Sequence, residues 1–247
     1  MNTGNTGTNM YESATTWNPF KGCKFDCVYC IPSFQRQAKR QKNNCMKCYS
    51  YTPHFHEERL PSIPNSEIVF VCGNSDISFA SEDQMILVID AIKKNNLTSR
   101  RKKIFYLQTK QPSCLKPYLK MLPENVILLT TLETNRDAGY EKVSKAPVPS
   151  ERFKQFKELD YPRKVVTCEP ALDFDVDVFS KWIMGIKPEY IWLGYDSKNC
   201  GLIEPPIEKM RELTEILSKN GILVRGKDLR DYRLHKSKGS RNRVGLT

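Results

Sequence analysis

Short hydrophobic runs recur along the chain, and most are followed by a segment whose apolar residues have helical spacing. Runs rich in β-branched and aromatic residues, bounded by turn-forming residues, predict strands. We predict a first strand before Cys23 and later strands at 67–73, 103–109, 125–132, 163–170, 189–195 and 222–226. The helical spacing predicts helices at 81–96, 113–121, 150–158, 176–185 and 205–221. Ser81 is a suitable N-cap for the first of these helices.

The predicted strands are apolar throughout and alternate with helices, which is typical of a parallel sheet covered on its outer face. Polar residues gather just after the strands: Cys23 to Cys30, Asn74-Ser75-Asp76, Thr109-Lys110-Gln111, Glu133-Thr134-Asn135, Glu169, Tyr195-Asp196-Ser197 and Lys227-Asp228. In a β/α barrel all of these loops open on one face, where active sites lie. The pattern therefore favours a partial (β/α)6-type TIM barrel of parallel strands with outer helices. A complete barrel and an open doubly wound sheet are the alternatives.

The stretch TWNPFKGCKFDCVYC, residues 16–30, places Cys23, Cys27 and Cys30 in a C-x3-C-x2-C spacing. Thiolates are the usual ligands of iron–sulfur clusters, and short loops between cysteines let them face one cluster. Three cysteines leave one iron of a [4Fe-4S] cluster open for a substrate or a cofactor. The alternatives are a zinc site, which commonly closes with four ligands, and three buried structural thiols. The spacing favours the cluster.

With the aromatic Tyr29 just before the third cysteine, this motif resembles the signature of the radical S-adenosylmethionine (radical SAM) superfamily. The stretch is similar to the spore photoproduct lyase branch, and it is closer still to a phage-type radical SAM-like family with a W-N-P…G-C opening. The segments FVCGNSDISF, LQTKQP, TTLETN and TCEPAL follow in the order expected of that second family. The resemblance covers most of the chain from Thr16 to about Tyr195.

The resemblance implies an enzyme that binds S-adenosylmethionine (SAM) at the open iron of a [4Fe-4S] cluster. Cys23, Cys27 and Cys30 would hold that cluster. One electron, supplied by a donor of the flavodoxin or ferredoxin type, would cleave the sulfonium bond of SAM and give a 5′-deoxyadenosyl radical. The protein's part would be to hold the cofactor, tune the cluster and keep water away from the radical.

The resemblance also implies roles for the polar residues at the strand ends. The loop after the second strand is expected to meet the methionine amino group. The residues of this loop are Gly73, Asn74, Ser75 and Asp76. Further candidates for contact with the cofactor are Tyr29, Thr131, Glu133 and Asn135. Glu169 and Tyr195 are the candidate catalytic residues, and turn or cap roles are the alternative for Asn74, Asp76 and Asn135.

A second pair of cysteines lies in CMKCYSYTPHFHEERL, residues 45–60. Cys45, Cys48, His54 and His56 have the spacing C-x2-C-x5-H-x-H. These ligand types suit tetrahedral zinc, and on a strand the two histidine rings point to the same side. The alternative is that the cysteines are incidental and that the histidines pack or bind substrate.

The charge of the chain adds a candidate partner. Its 39 Lys and Arg against 28 Asp and Glu give a formal net charge of +11. This balance favours an anionic partner such as nucleic acid, with a lysine-rich solvated surface as the alternative. Basic residues are concentrated at 34–47, just behind the cysteine loop, and at 225–243. The candidates for nucleic-acid contact are Arg36, Lys39, Arg40, Lys42, Arg230, Arg233 and Lys236.

These patterns predict a short disordered lead-in at 1–15, a partial barrel at 16–226 with a Cys/His insertion at about 31–64, and a basic C-terminal tail at 227–247. The nine cysteines without a secretion signal argue against a disulfide framework. No hydrophobic run approaches the roughly 18 residues that a membrane span needs. We therefore expect a cytoplasmic protein.

The leading hypothesis is a radical SAM enzyme that acts on nucleic acid or a nucleotide. Repair, base modification and lyase chemistry are all left open. The rival hypothesis is a nucleic-acid-binding protein without catalysis, in which zinc takes the place of the cluster. An iron–sulfur chromophore would distinguish the two.

Overall fold

A computed structural model describes residues 14–226, 229–230 and 243–244 and contains one seven-stranded sheet. The strands in chain order are β1 (Ala14–Trp17), β2 (Phe20–Lys21), β3 (His54–Phe55), β4 (Ile68–Val71), β5 (Ile104–Gln108), β6 (Val126–Thr131), β7 (Lys164–Cys168), β8 (Tyr190–Leu193), β9 (Leu223–Gly226), β10 (Leu229–Arg230) and β11 (Arg243–Val244). The large sheet has the order β1-β4-β5-β6-β7-β8-β9, and every pairing in it is parallel. Two short antiparallel pairs, β2 with β3 and β10 with β11, stand apart from it.

The connections between the parallel strands are mostly helical. The α-helices are α1 (Arg36–Ala38), α2 (Met46–Tyr49), α3 (Glu82–Thr98), α4 (Pro149–Lys157), α5 (Val176–Ile186) and α6 (Ile207–Lys219). Ser81 and Gln84 form a capping box at the start of α3. The segment Pro112–Met121 is a 3-10 helix and contains Pro117, which lacks the N–H that an α-helix would need at that position.

Alternate residues of the strands serve two different cores. The outer face carries residues such as Val69, Phe105 and Leu128, which pack under the helices. The inner face carries a smaller cluster that includes Tyr106 of β5 and Tyr190 of β8. The hydroxyls of these two tyrosines meet at 2.8 Å although β6 and β7 lie between their strands. The sheet is therefore curved, and the inner face is its concave side.

This architecture confirms the predicted partial barrel of parallel strands with outer helices. All the predicted strands form, and β1 starts at Ala14, inside the segment expected to be the lead-in. The sheet holds seven strands, and among the described residues no pairing joins its edge strands β1 and β9 into a closed barrel. No described helix is long and apolar enough to cross a membrane.

The Cys/His insertion lies between β2 and β4. It begins with a π-helical turn at Ile31–Gln35, continues through α1 and α2, and returns in β3. The pairing of β3 with β2 sets Phe20 opposite Phe55 and Lys21 opposite His54. The insertion is thus attached to the strand that leads directly into the cysteine loop.

Candidate functional site

The cysteine loop follows β2 and is held by distant parts of the chain. Three backbone hydrogen bonds fix it: Cys23 N to Tyr51 O (3.3 Å), Val28 N to Val143 O (3.0 Å) and Lys145 N to Phe25 O (2.7 Å). Phe25 is buried and its ring lies 4.7 Å from that of Phe79, centroid to centroid. The loop is therefore held in place by residues that lie just before β3, after β4 and after β6.

The three thiols of this loop differ in acidity. A hydrogen bond with the Cys30 side chain lowers the pKa of Cys27 to about 6, against the effect of burial. The same interaction, together with burial, holds the pKa of Cys30 well above its usual value. Burial also raises the pKa of Cys23. The hydroxyl of Ser144 lies 3.1 Å from Sγ of Cys27, so Cys27 is the thiol of the three that ionises most readily.

Cys23, Cys27 and Cys30 line one cavity of about 90 Å³ at the carboxyl ends of the parallel strands. Its polar lining is formed by Ser75, Asp76, Gln108, Lys110, Thr131 and Glu169. Nε2 of Gln108 donates to Oγ1 of Thr131 at 2.7 Å, but Oε1 of Gln108 is buried and has no hydrogen-bond partner. A buried acceptor without a donor is unfavourable in a folded protein. Soft thiols beside carboxylates and an unpaired acceptor fit an iron–sulfur cluster with a cofactor that carries donor groups.

A second, larger cavity of about 300 Å³ shares part of this lining. Tyr29, Phe34, Gly73 and Glu169 border both cavities. The larger one is also lined by the polar segment 195–198, which follows β8. The volume lies within the range of small-molecule sites. A small molecule can therefore fit next to the cavity of the three thiols.

Glu133 lies two residues after β6 and is completely buried. Its Oε1 accepts hydrogen bonds from Tyr29 Oη (2.5 Å), Lys110 Nζ (2.6 Å) and Tyr140 Oη (3.0 Å), and its Oε2 accepts one from Arg152 Nη2 (2.8 Å). Burial opposes ionisation of Glu133, but the charges of Arg152 and Lys110 outweigh it and hold the pKa of the carboxyl well below its usual value. The carboxylate is thus the centre of a charged network directly beneath the cysteine loop.

The same network fixes Tyr29 and Tyr140 as donors. Burial, with the negative charge of Glu133 beside it, raises the pKa of both hydroxyls. The structure therefore brings Tyr29 and Glu133 together, as hydrogen-bond partners of each other. Their predicted contact with a cofactor stays a prediction.

In the loop after β4, hydrogen bonds fix the carboxylate of Asp76 at the edge of the thiol cavity. Asp76 is buried, and its carboxylate accepts from Thr109 Oγ1 (2.7 Å) and from the backbone N–H groups of Lys110 (2.8 Å) and Ser78 (3.0 Å). It caps the 3-10 turn Ile77–Phe79 and also lines the cavity of the three thiols. Asp76 therefore combines the cap role with a place in the site.

The other residues of this loop are also held in place. Ser75 Oγ donates to the carbonyl oxygens of Phe20 (3.0 Å) and Cys72 (2.8 Å), and Asn74 N–H donates to Oδ1 of Asn18 (3.2 Å). Gly73 and Asn74 line the larger cavity. The loop thus presents backbone and small polar groups to both cavities.

Glu169 comes directly after β7 and borders both cavities. Its Oε2 accepts a hydrogen bond of 2.9 Å from Trp192 Nε1 on the inner face of β8. A Cβ at Gly194 would lie only 3.1 Å from Cγ and Cδ of Glu169, so the absence of a side chain there makes room for the carboxylate. Tyr195, one residue later, is buried and lines the larger cavity.

Asn135 is placed differently from the other predicted site residues. Its Nδ2 lies 3.3 Å from Oδ2 of Asp175, and its Oδ1 accepts from the Asp175 N–H at 2.8 Å. Asp175 is the N-cap of α5. The side chain of Asn135 therefore stabilises the start of α5, and it does not line either of the two cavities above.

The Cys/His insertion brings its four predicted ligands together. Cys45, Cys48, His54 and His56 each offer one ligand atom, and these atoms lie within 4.8 Å of one another. The short helix α2 carries Cys48, and β3 carries His54. This group can hold a metal ion.

Of the four basic candidates in the insertion, Arg40 borders one of the cavities. Arg36, Lys39, Arg40 and Lys42 are exposed. Arg40 lines a third cavity, of about 160 Å³, which shares Phe34 with the other two. Lys39 Nζ donates to the Tyr49 carbonyl at 3.3 Å and lies over the aromatic ring of Tyr49. Arg230 belongs to β10, whereas Arg233 and Lys236 lie outside the described residues.

Sequence reasoning missed several residues that shape the site. Gln108 and Lys110 stand at the end of β5, where a polar loop was predicted but no role assigned to either residue. Arg152 lies in α4, in a segment whose polar residues look solvated, yet it is completely buried against Glu133. For Gln108 and Lys110 the signal was available, because Gln108 ends the apolar strand β5 and Lys110 follows it, much as Glu133 and Glu169 follow theirs.

Comparison with solved structures gives two likenesses of fold. Streptococcus suis SuiB bound to the precursor peptide SuiA matches with a TM-score of 0.54 and 11% identity, over 87% of this chain and 48% of that chain. A spore photoproduct lyase variant with bound AdoMet and a dinucleoside spore photoproduct matches with a TM-score of 0.52 and 10% identity, over 87% of this chain and 64% of that chain. The chain thus spans about half of SuiB and less than two thirds of the lyase.

At these identities the likeness is one of fold. No family model matches the sequence, and no curated protein matches it. The chemistry of the site must therefore be argued from the residues of this chain.

Proposed function

We propose that this protein is a radical SAM enzyme. The observation that carries the proposal is the convergence of Cys23, Cys27 and Cys30 on one cavity at the carboxyl ends of a partial barrel. Two solved structures with this fold, one of them with bound AdoMet, support the class. When bound, a [4Fe-4S] cluster with SAM supplies reductive cleavage of the sulfonium bond and hydrogen abstraction by a 5′-deoxyadenosyl radical.

The residues around the cysteines have distinct parts in this proposal. The three thiolates hold three irons of the cluster and leave the fourth for the cofactor. The loop from Gly73 to Asp76, which lines the cavities, would meet the methionine end of the cofactor, and Gln108 Oε1 would offer an unpaired acceptor to one of its donors. Thr131 lines the same cavity and is a candidate for a ribose contact.

The larger cavity is the proposed substrate site. Glu169 borders both cavities and can therefore contact the cofactor on one side and the substrate on the other. Tyr195 lines the substrate side only. A carboxylate and a phenol at this position can orient a substrate and hold or accept a proton.

We propose nucleic acid or a nucleotide as the substrate class. Arg36 and Arg40 are exposed, Arg40 lines the cavity of about 160 Å³, and the chain as a whole carries a net charge of +11. Cationic side chains around a site attract a phosphate backbone. An enzyme that acts on a base must take it out of the stack, and a cavity of about 300 Å³ can receive part of an extruded nucleotide.

The reaction that follows hydrogen abstraction is left open among three types. Repair, modification and lyase chemistry all begin with hydrogen abstraction, and the motif order favours the phage-type branch. A flavodoxin- or ferredoxin-type partner would supply the electron. Thiols that must stay reduced to bind a cluster favour the cytoplasm.

The proposal is tested with full-length protein reconstituted anaerobically with iron and sulfide. We expect brown protein with about four irons per chain, bleaching by dithionite, and release of 5′-deoxyadenosine from SAM. Single changes of Cys23, Cys27 or Cys30 to Ala are expected to abolish that release, whereas Cys114→Ser, at an isolated cysteine, retains it. Release of 5′-deoxyadenosine by any of the three Ala variants would contradict the ligand assignment.

The rival function is a metal-stabilised nucleic-acid-binding protein. The observation that favours it is the four-ligand Cys/His group, which can stabilise the insertion without any cluster. A colourless protein that binds zinc and nucleic acid but takes up no iron or sulfide would support this rival. A panel of DNA, RNA and nucleotides, scored for stimulated 5′-deoxyadenosine release, distinguishes turnover from binding alone.

A further inference from the structure

We infer that Cys45, Cys48, His54 and His56 hold one four-coordinate Zn²⁺, and that this ion fixes the cysteine loop at 23–30 in place. The metal site itself is independent of the proposed radical SAM activity. Its effect on the loop rests on the proposal that the loop binds a cluster.

The distances between the four ligand atoms fit a single tetrahedral ion. Nε2 of His54 lies 3.5 Å from Cys45 Sγ and 3.3 Å from Cys48 Sγ, and Nε2 of His56 lies 3.2 Å from Cys48 Sγ. Tetrahedral zinc with its usual bond lengths separates sulfur and nitrogen ligands by about 3.5 Å. The two Nε2 atoms are 2.8 Å apart, somewhat closer than the about 3.3 Å of such a site.

A hydrogen bond at Nδ1 orients the ring of each histidine. Nδ1 of His54 lies 2.7 Å from the carbonyl oxygen of Thr52, and Nδ1 of His56 lies 2.7 Å from Oε1 of Glu58. Each acceptor fixes the Nδ1–H tautomer, which leaves the lone pair of Nε2 directed at the common centre. Metal-binding histidines characteristically have such partners on their other nitrogen.

The ligand set indicates a structural ion rather than a catalytic one. Two thiolates and two imidazoles complete a tetrahedral shell, so no position is left for water or substrate. Thiolate and imidazole ligands favour zinc over the oxygen-preferring magnesium and calcium. The close mutual approach of all four atoms, within 4.8 Å, suits one ion.

The ion would act on the cysteine loop through the β2–β3 pairing. His54 stands opposite Lys21, two residues before Cys23, and Cys23 N–H donates to the Tyr51 carbonyl at 3.3 Å. Gly22 has a φ of +86°, and a Cβ there would overlap the Thr52 carbonyl, the same group that accepts from His54. One carbonyl therefore touches both the proposed zinc ligand and the entry to the cluster loop.

The test of the site uses full-length protein and a variant in which Cys23, Cys27 and Cys30 are all changed to Ala. Elemental analysis after removal of loosely bound metal is expected to find about one zinc per chain in both proteins. Titration of the metal-free triple variant with Co²⁺ should give the intense visible bands of tetrahedral, sulfur-ligated cobalt, saturating at one equivalent. Absence of zinc from both proteins, together with absence of these bands in the triple variant, would overturn the inference.

The ligands are tested by Cys48→Ala and His54→Ala, with Cys114→Ser as the matched control. We expect bound zinc to fall at least tenfold in the two ligand variants and to stay unchanged in the control. Because these variants could also unfold, far-UV circular dichroism and the cobalt titration of the triple variant accompany the measurement. Full zinc content in Cys48→Ala or His54→Ala would overturn the ligand assignment.

The effect on the loop is measured as cluster uptake. We expect His54→Ala with an intact fold to take up several-fold less iron and sulfide than the wild-type protein under identical reconstitution. Normal cluster content without zinc would refute the proposed coupling and leave the metal site standing. Zinc binding without any cluster in the wild-type protein would instead refute the proposed function, so the two failures are distinguishable.

Discussion

The hydroxyl of Tyr29 donates a 2.5 Å hydrogen bond to Oε1 of Glu133, which ties the residue before the third cysteine to the end of β6. The same carboxylate also forms ion pairs with Lys110 and Arg152. The loop that carries the three thiols, of which Cys27 is buried and Cys23 and Cys30 are half-buried, is therefore anchored on a fully buried ionic network. The network thereby ties the 3-10 turn Val28–Cys30, which carries the third cysteine, to the buried interior.

Glu133→Gln tests this anchor. The amide keeps the shape of the side chain but leaves the buried charges of Lys110 and Arg152 without a counterion. We expect a loss of about 3–5 kcal/mol in the free energy of unfolding, measured by urea denaturation. Glu158→Gln breaks an exposed pair with Lys116 and serves as the control, which should unfold at nearly the wild-type urea concentration. Equal urea midpoints of unfolding for the two variants would contradict a structural role for the network.

The pH dependence of stability follows from the same carboxylate. Its pKa in the folded chain lies below the usual value, so ionised Glu133 stabilises the fold fully above the usual carboxyl range of about 4.3. This contribution is lost as the pH falls from there towards the folded pKa. The stability gap between wild type and Glu133→Gln should therefore narrow between pH 6 and pH 3, in urea titrations at each pH. A gap that stays constant over this range would argue that Glu133 is not ionised in the folded protein.

Gly22→Ala tests the close contact between Gly22 and the Thr52 carbonyl at the entry to the cysteine loop, and Gly139→Ala is its control. Both glycines have positive φ, +86° and +77°, so an alanine costs about 1–2 kcal/mol at either position. Only at Gly22 would the Cβ also meet backbone, the carbonyl of Thr52, since the space around Gly139 is open. We expect Gly22→Ala to lower iron uptake several-fold and Gly139→Ala to leave it unchanged. Similar iron contents in both variants would show that the contact with Thr52 does not position the loop.

The basic face is tested by the double change Arg36→Ala and Arg40→Ala. The control is Arg100→Ala with Arg101→Ala, which removes the same charge from the loop before β5, at the opposite ends of the strands. Each lost phosphate contact should reduce the slope of log affinity against log salt by about 0.7 to 0.9. We therefore expect a reduced slope and weaker nucleic-acid binding in the first variant only. Equal losses in both variants would indicate attraction by net charge alone.

Much of the fold could be predicted because burial of the parallel strands requires apolar residues on both faces. The runs that became β6 and β7 are buried at every position, and they were visible as hydrophobic segments. The capping box of Ser81 and Gln84 is also a local signal, since both partners lie within one turn. The 3-10 form of Pro112–Met121 could have been expected from Pro117 inside it.

The candidate site was less predictable where it depends on contacts between distant segments. The spacing of Cys23, Cys27 and Cys30 is written in the sequence, but the burial of Arg152 against Glu133 is not. An arginine in a helix with many charged neighbours has the pattern of a solvated residue. Asn135 likewise follows β6 as Glu133 does, yet it turns to Asp175 because the N-cap of α5 lies beside it.

The central claim is that three cysteines hold a cluster with one iron left for SAM. The most direct test is electron paramagnetic resonance of the dithionite-reduced, reconstituted protein, recorded with and without SAM. The claim predicts the signal of a reduced [4Fe-4S] cluster that changes in shape when SAM is added, and no such signal in Cys27→Ala. A cluster signal that SAM leaves unchanged, or the absence of any cluster signal in the wild-type protein, would contradict it.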